Sequence, residues 1–379
     1  MLKLEVRPQP SQAMSVASPL IALAITVVLG VGLFVLLGKD PLRGLQMFFW
    51  EPVKSAYAVS ELLIKATPLL LIALGLSVCY RSNVWNIGAE GQFILGALAG
   101  GWVAMQAGEG LQWMGRGIVV VILIAGVLGG VLWAAIVAAL RDRFNANEIL
   151  VSLMLVYVAI QLLNYLVYGP WKDPKGYNFP QSITFLSVTQ VPRLVTGFRA
   201  NIGVVVSLVC VVAFWLLLFR TFAGFQLQVG GLAPHAARYA GFSSRRALWT
   251  ALLLSGGMAG LAGALEIAGP LGQITPYVPA GYGFAAIIVA FVGRLHPVGV
   301  VFSAVLMSMF YIGGELAQSR LGLPKSLTGV FQGLLLFTLL ACDTLIHYRL
   351  RWKARVPAAQ APATPPTSTT VNTVTEKTA

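Results

Sequence analysis

Long apolar runs separated by short polar joints dominate this chain. About 20 apolar helical residues are needed to cross roughly 30 Å of hydrocarbon. By that measure the pattern predicts ten spans: 16–37, 62–80, a third running to about Gln106, 117–140, 148–168, 200–219, 247–268, 282–292, 298–314 and 326–345. Charges punctuate them, with Arg81 closing the second span, Arg141-Asp142-Arg143 the fourth and Arg220 the sixth. The first run is too long for a signal-peptide core and is not followed by a small-residue cleavage site, so it reads as a retained helix. Residues 169–199, with Pro170, Pro174, Pro180 and Pro192, are too polar to span. The prolines of 270–282 predict an external turn or a broken helix there.

One stretch breaks the apolar rule inside a membrane-length segment. It reads Asn83-Val84-Trp85-Asn86-Ile87-Gly88-Ala89-Glu90-Gly91-Gln92-Phe93. An acidic side chain at mid-bilayer costs roughly 2.5 to 3.5 kcal/mol, so Glu90 is expected to face protein or water. In a continuous helix Asn86, Glu90 and Phe93 share one face, which could line a path, while Gly88 and Gly91 on the other side allow a neighbouring helix close. Two readings of Glu90 stay open: a structural cap or pair, and a role along a transport path.

Composition agrees with a membrane bundle. Hydrophobic residues make up 57% of the 379 and charged residues 10%, which excludes an ordinary soluble domain. The net charge of +13 comes from cations scattered singly between apolar runs and not from a basic face, so no nucleic-acid partner is expected. Cys79, Cys210 and Cys342 all sit in apolar runs, and the three histidines are far apart, so neither a disulfide framework nor a metal site is predicted. No nucleophile triad, phosphate-cradling loop or other cofactor motif occurs, so the chain reads as a non-enzyme. Small residues four apart in Gly256-Gly257-Met258-Ala259-Gly260-Leu261-Ala262-Gly263 predict tight helix packing through Gly256, Gly260 and Gly263.

The wording of 83–93 resembles the signature of permease subunits of bacterial ABC importers, in the branch of branched-chain amino acid, simple-sugar and nucleoside permeases. It is most similar to nucleoside members that work with a basic membrane lipoprotein. Residues 281–297 are also similar to that family, in which a short helix packs beside the translocation path. This implies a path lined by Asn86, Glu90, Phe93, Tyr282 and Phe284, although Ala285 and Ala286 stand where some members carry a polar residue.

Between 221 and 246 lies a segment too polar to span, and taken alone it is an ordinary loop. It resembles the coupling loop of these permeases, whose short helix seats in the ATP-hydrolysing subunit; Pro234, Ala236, Ala237, Arg238 and Gly241 carry that likeness. The expected architecture is therefore an all-α, polytopic inner-membrane bundle of about ten transmembrane helices. Both termini lie inside, where the clustered cations at Arg245-Arg246 and after the tenth span place them. The permease domain is 1–352, and 353–379 is a disordered cytoplasmic tail poor in apolar bulk. The implied partners are an ABC ATPase, a second homologous permease, an external solute-binding lipoprotein, membrane lipid and a small solute, a nucleoside or nucleobase compound before a sugar. An ion-coupled carrier using Glu90 or Glu266 is the alternative from another class.

Overall fold

The computed structural model describes residues 2–6, 12–107, 112–195 and 197–352; the expected disordered tail lies outside them. In chain order the helices are α1 (Gln12–Leu36), α2 (Pro41–Leu45), α3 (Ala56–Arg81), α4 (Ala89–Gln106), α5 (Ile118–Phe144), α6 (Glu148–Tyr168) and α7 (Ile202–Arg220). They continue with α8 (Phe222–Leu232), α9 (Pro234–Tyr239), α10 (Ser244–Glu266), α11 (Tyr282–Val292), α12 (Pro297–Leu321) and α13 (Ser326–His347). Two strands not anticipated from the sequence, β1 (Leu2–Val6) and β2 (Tyr348–Trp352), flank this polytopic bundle. They pair antiparallel with Leu2 opposite Trp352 and Val6 opposite Tyr348, which brings the two ends of the described chain to one end of the bundle.

Eight helices among the described residues are long and apolar enough to cross a membrane: α1, α3, α5, α6, α7, α10, α12 and α13. The third and eighth expected spans depart from a straight helix, and for different reasons. Residues 82–88 are not helical, so α4 starts only at Ala89. Asn86 therefore does not share a helix face with Glu90 and Phe93, and the continuous-helix reading is corrected. α11 is 11 residues long, about 16 Å of helix, or half the hydrocarbon thickness. The missing half is supplied by the prolines and glycines of 272–281, whose Ile274 and Val278 are buried.

In lipid the apolar surface of a helix gains nothing by leaving its surroundings, so helices associate through close packing. The centre is α3 and α10, with 89% and 83% of their spans buried, against 22% for α1 and α6 at the periphery. α3 runs antiparallel to α10, with the Cys79 thiol on the Ala251 carbonyl at 3.2 Å. Gly260 of α10 sits where α5 and α4 both arrive. A Cβ there would lie 2.9 Å from the backbone nitrogen of Gly130 and would also displace Gly126, so only glycine fits. Gly256 meets Gly130 and Ala134 of α5, and Gly263 meets the backbone of Phe93 and Ala97.

Candidate functional site

Two broken elements meet near the middle of this bundle. α11 begins with Tyr282 after Gly281, which takes a left-handed φ of 78°. The first N–H groups of a helix have no partner within it, and at bilayer depth no bulk water supplies one. Here a carboxylate from another helix does. Glu90, in the first turn of α4 and 1% exposed, accepts a hydrogen bond from Gly281 N at 2.9 Å on Oε1 and another from Gly283 N on Oε2. Its carboxyl oxygens also sit at the positive end of the α11 dipole. Gly283 is required at this junction, since a Cβ would stand 2.6 Å from Glu90 Cα. Glu90 thus caps α11, a helix other than its own.

Asn86 is completely buried and closes a separate network. Its amide nitrogen donates to Gln92 Oε1 and to Ser255 Oγ, both at 3.0 Å, and its oxygen accepts from Gly88 N at 3.1 Å and from Gln92 Nε2 at 3.3 Å. Ser255 lies midway along α10, so this loop carries a polar side chain to the centre of the bundle with both ends of its amide satisfied, as burial demands. Gly88 and Gly91 pack on α6, against Ser152 and the backbone of Leu155 and Val156.

Phe93 and Tyr282, both buried, meet edge to face with ring centroids 5.9 Å apart. Tyr282 continues into a polar cluster on the side away from the termini. Its ring lies 5.4 Å from that of Tyr311 and 5.9 Å from the Lys65 ammonium. Lys65 pairs with Glu315 at 3.1 Å, and the Tyr311 hydroxyl donates to Ala280 O at 3.2 Å. Glu90, Phe93 and Tyr282 are thus brought together, whereas Phe284 is 40% exposed on the far face of α11. Sequence reasoning left Lys65, Tyr311 and Glu315 without a role. The one available signal was a lysine just inside the second apolar run.

At the end of the bundle that carries the termini, 221–246 forms an elbow of two short helices. Thr221 Oγ1 caps α8 through Gly224 N, Pro234 opens α9 at the position where its missing N–H is harmless, and Gly241 turns the chain at a φ of 77°. Ser243 then caps α10 through Arg246 N. Ala237 is buried and faces the bundle, while Ala236, Arg238 and Tyr239 are exposed. A cavity of about 330 Å³ under the elbow is lined by Pro234, Arg238 and Arg246 together with Ser82 at the end of α3 and Val84 of the signature stretch.

This chain matches, over residues 58–340, the family described as branched-chain amino acid transport system / permease component. It is 32% identical to a glucose ABC transporter permease protein of Haloferax volcanii, over 92% of this chain and 93% of that one. It is 30% identical to a guanosine ABC transporter permease protein of Bacillus subtilis, over 82% and 89% respectively. A nucleoside ABC transporter permease protein of Lactococcus lactis subsp. cremoris is 24% identical, over 90% and 95%. With eight long apolar helices among the described residues, the chain belongs to this permease family and is a multi-pass membrane transport subunit, not an enzyme.

Proposed function

We propose that this chain is the permease of an ATP-driven importer in a bacterial inner membrane, moving nucleosides or related nucleobase compounds. The observation that carries the reading is the 221–246 elbow: a capped two-helix projection with exposed Tyr239 and Arg238, connected to the mid-bundle junction. A separate ABC ATPase seats on it, which makes that end cytoplasmic, in keeping with the clustered cations there. A second permease completes the path, and an external solute-binding lipoprotein delivers solute at the opposite end.

Closure of the ATPase pair moves the elbow and, through it, the junction of α4 and α11. Asn86, Glu90, Phe93, Tyr282 and Phe284 border the path, with Lys65, Tyr311 and Glu315 at its outer mouth. The identities to permeases named for guanosine and for nucleosides support a nucleoside as cargo. A sugar is the second reading, favoured by the 32% identity to a permease named for glucose. An ion-coupled carrier is disfavoured, since Glu90 is already engaged by two backbone donors.

The test is uptake by cells carrying or lacking the chain, with radiolabelled guanosine and glucose, with ATP depleted or with the proton gradient collapsed. Loss of guanosine uptake with ATP but not with the gradient is expected. Gradient dependence would overturn the mechanism, and glucose uptake alone would overturn the cargo.

A further inference from the structure

A push on α9 must reach the junction at Glu90, and the contacts around α11 supply a route. Both ends of the short stretch 81–90 hold both ends of α11. At one end Glu90 accepts the N–H groups of Gly281 and Gly283. At the other, Arg81 Nε donates to Leu295 O at 2.9 Å, in the turn that follows α11. Between these grips the Tyr80 and Phe291 rings stack at 5.0 Å and 18°, and the Trp85 ring lies 6.3 Å from that of Phe291.

The turn after α11 is itself unusual. Arg294 and Leu295 are consecutive non-glycine residues in the left-handed region, at φ of 59° and 53°. Such residues persist only where their surroundings over-determine them. Here Arg81 holds Leu295 from one side, and Asp343 of α13 grips Arg294 bidentately at 2.8 and 2.9 Å from the other. Arg81 has one more partner, which points toward the elbow: Nη1 donates to Gln228 Oε1 of α8 at 3.2 Å. Gln228 is fixed in turn by its own donation to Leu218 O at 2.6 Å, and the Arg81 guanidinium rests 5.1 Å from the centre of the Phe219 ring.

We infer that residues 80–90 and 281–295 form one rigid unit, and that Arg81 is the positioning residue joining it to the elbow through Gln228. This rests on the reading of 221–246 as the surface that an ATPase grips. A helix transmits displacement along its axis with little loss, so movement of α8 carried by Gln228 and Arg81 displaces α11 as a rod. The Glu90 grip then passes the movement to the start of α4. Arginine suits the joint because its planar fork reaches two acceptors at once, where a lysine ammonium would serve one well.

The test is a double-mutant cycle on the assembled importer in proteoliposomes, with the readout being solute moved per ATP hydrolysed. Gln228→Met should lower that ratio about tenfold, the consequence of losing one charge-assisted hydrogen bond, and Arg81→Gln, which also gives up the Leu295 contact, by at least as much. The double variant should be no worse than the more severe single, since both remove the same link. ATP hydrolysis should stay within about twofold of wild type.

Ratios that multiply in the double variant, or that stay at the wild-type value, would overturn the joint. Should Arg81→Gln fail to assemble, Gln228→Met decides alone, since it breaks the tether and leaves the Leu295 contact. If the wild-type assembly shows no ATP-driven uptake, the proposed function has failed, and hydrogen exchange on the isolated chain still tests the unit. Amides 293–296 should exchange faster in Arg81→Gln and unchanged in Arg238→Glu, and equal exchange in all three chains refutes it.

Discussion

Replacing Glu90 probes the junction most directly. In the native chain two backbone N–H groups, those of Gly281 and Gly283, end on one buried carboxylate. Hydrogen bonds to a charged group are worth about 1.5 to 3 kcal/mol each, and a buried donor left unpaired costs about 1 to 3 kcal/mol. Glu90→Ala strands both donors, giving a local penalty on the order of 2 to 6 kcal/mol. Glu90→Gln keeps one acceptor oxygen and turns its amide nitrogen toward the other donor. It also relieves the cost of burying a charge, so its penalty is smaller, on the order of 1 to 2 kcal/mol.

Hydrogen exchange of the purified chain in nanodiscs reads this locally. At a tenfold change per 1.4 kcal/mol, amides 282–285 should exchange about 100-fold faster in the Ala variant and about tenfold faster in the Gln variant. Assembly should persist in both, with uptake falling in the same order. Exchange unchanged in Glu90→Ala, or a Gln variant more damaged than the Ala variant, would show that the carboxylate does not hold α11.

Three further outcomes are expected. Gly260→Val should force α5 away from α10, costing more than the about 1 to 3 kcal/mol typical of overpacking because backbone and not side chains must move, and should appear as lost expression. Arg238→Glu, on the exposed face of α9, should leave the folded chain intact while lowering receptor-stimulated ATP hydrolysis; unaltered stimulation would remove this residue from the contact. His296 caps α12 by accepting from Val298 N at 3.3 Å through Nδ1, and partial burial, then the charge of Arg81, holds its pKa below the usual 6.5. Because the unfolded chain takes up that proton first, stability is full above the ordinary histidine value and declines as pH falls through the window beneath it. His296→Gln should flatten that decline in a thermal-unfolding series, and an identical slope in both chains would assign it elsewhere.

The spans that were legible are those whose burial the surrounding medium imposes. The 148–168 and 282–292 segments were read to the residue, because an apolar run in lipid has one favourable state and its ends are marked by Glu148, Tyr168 and the Gly281 and Gly293 turns. The 83–93 stretch was recognisable as a place where polar groups enter the membrane, but not as a loop. Its spacing is compatible with a helix, and only the contacts of Asn86 with Ser255, 169 positions away, decide otherwise. The β1–β2 pair was hidden for a similar reason: each strand is five residues long, and its partner lies at the other terminus.

Hydrophobicity is a property each residue carries on its own, and a membrane reads it locally. Composition and run length therefore determined the class, the approximate number of crossings and the polar elbow before α10 from the sequence alone. Which donor meets which acceptor is a property of pairs, and the pairs that matter here are remote: Glu90 with Gly281 and Gly283, Arg81 with Leu295 and Gln228, Lys65 with Glu315. Only the packing of the bundle brings those groups within bonding distance, because in a medium without bulk water each buried polar group must find its partner wherever the fold delivers one.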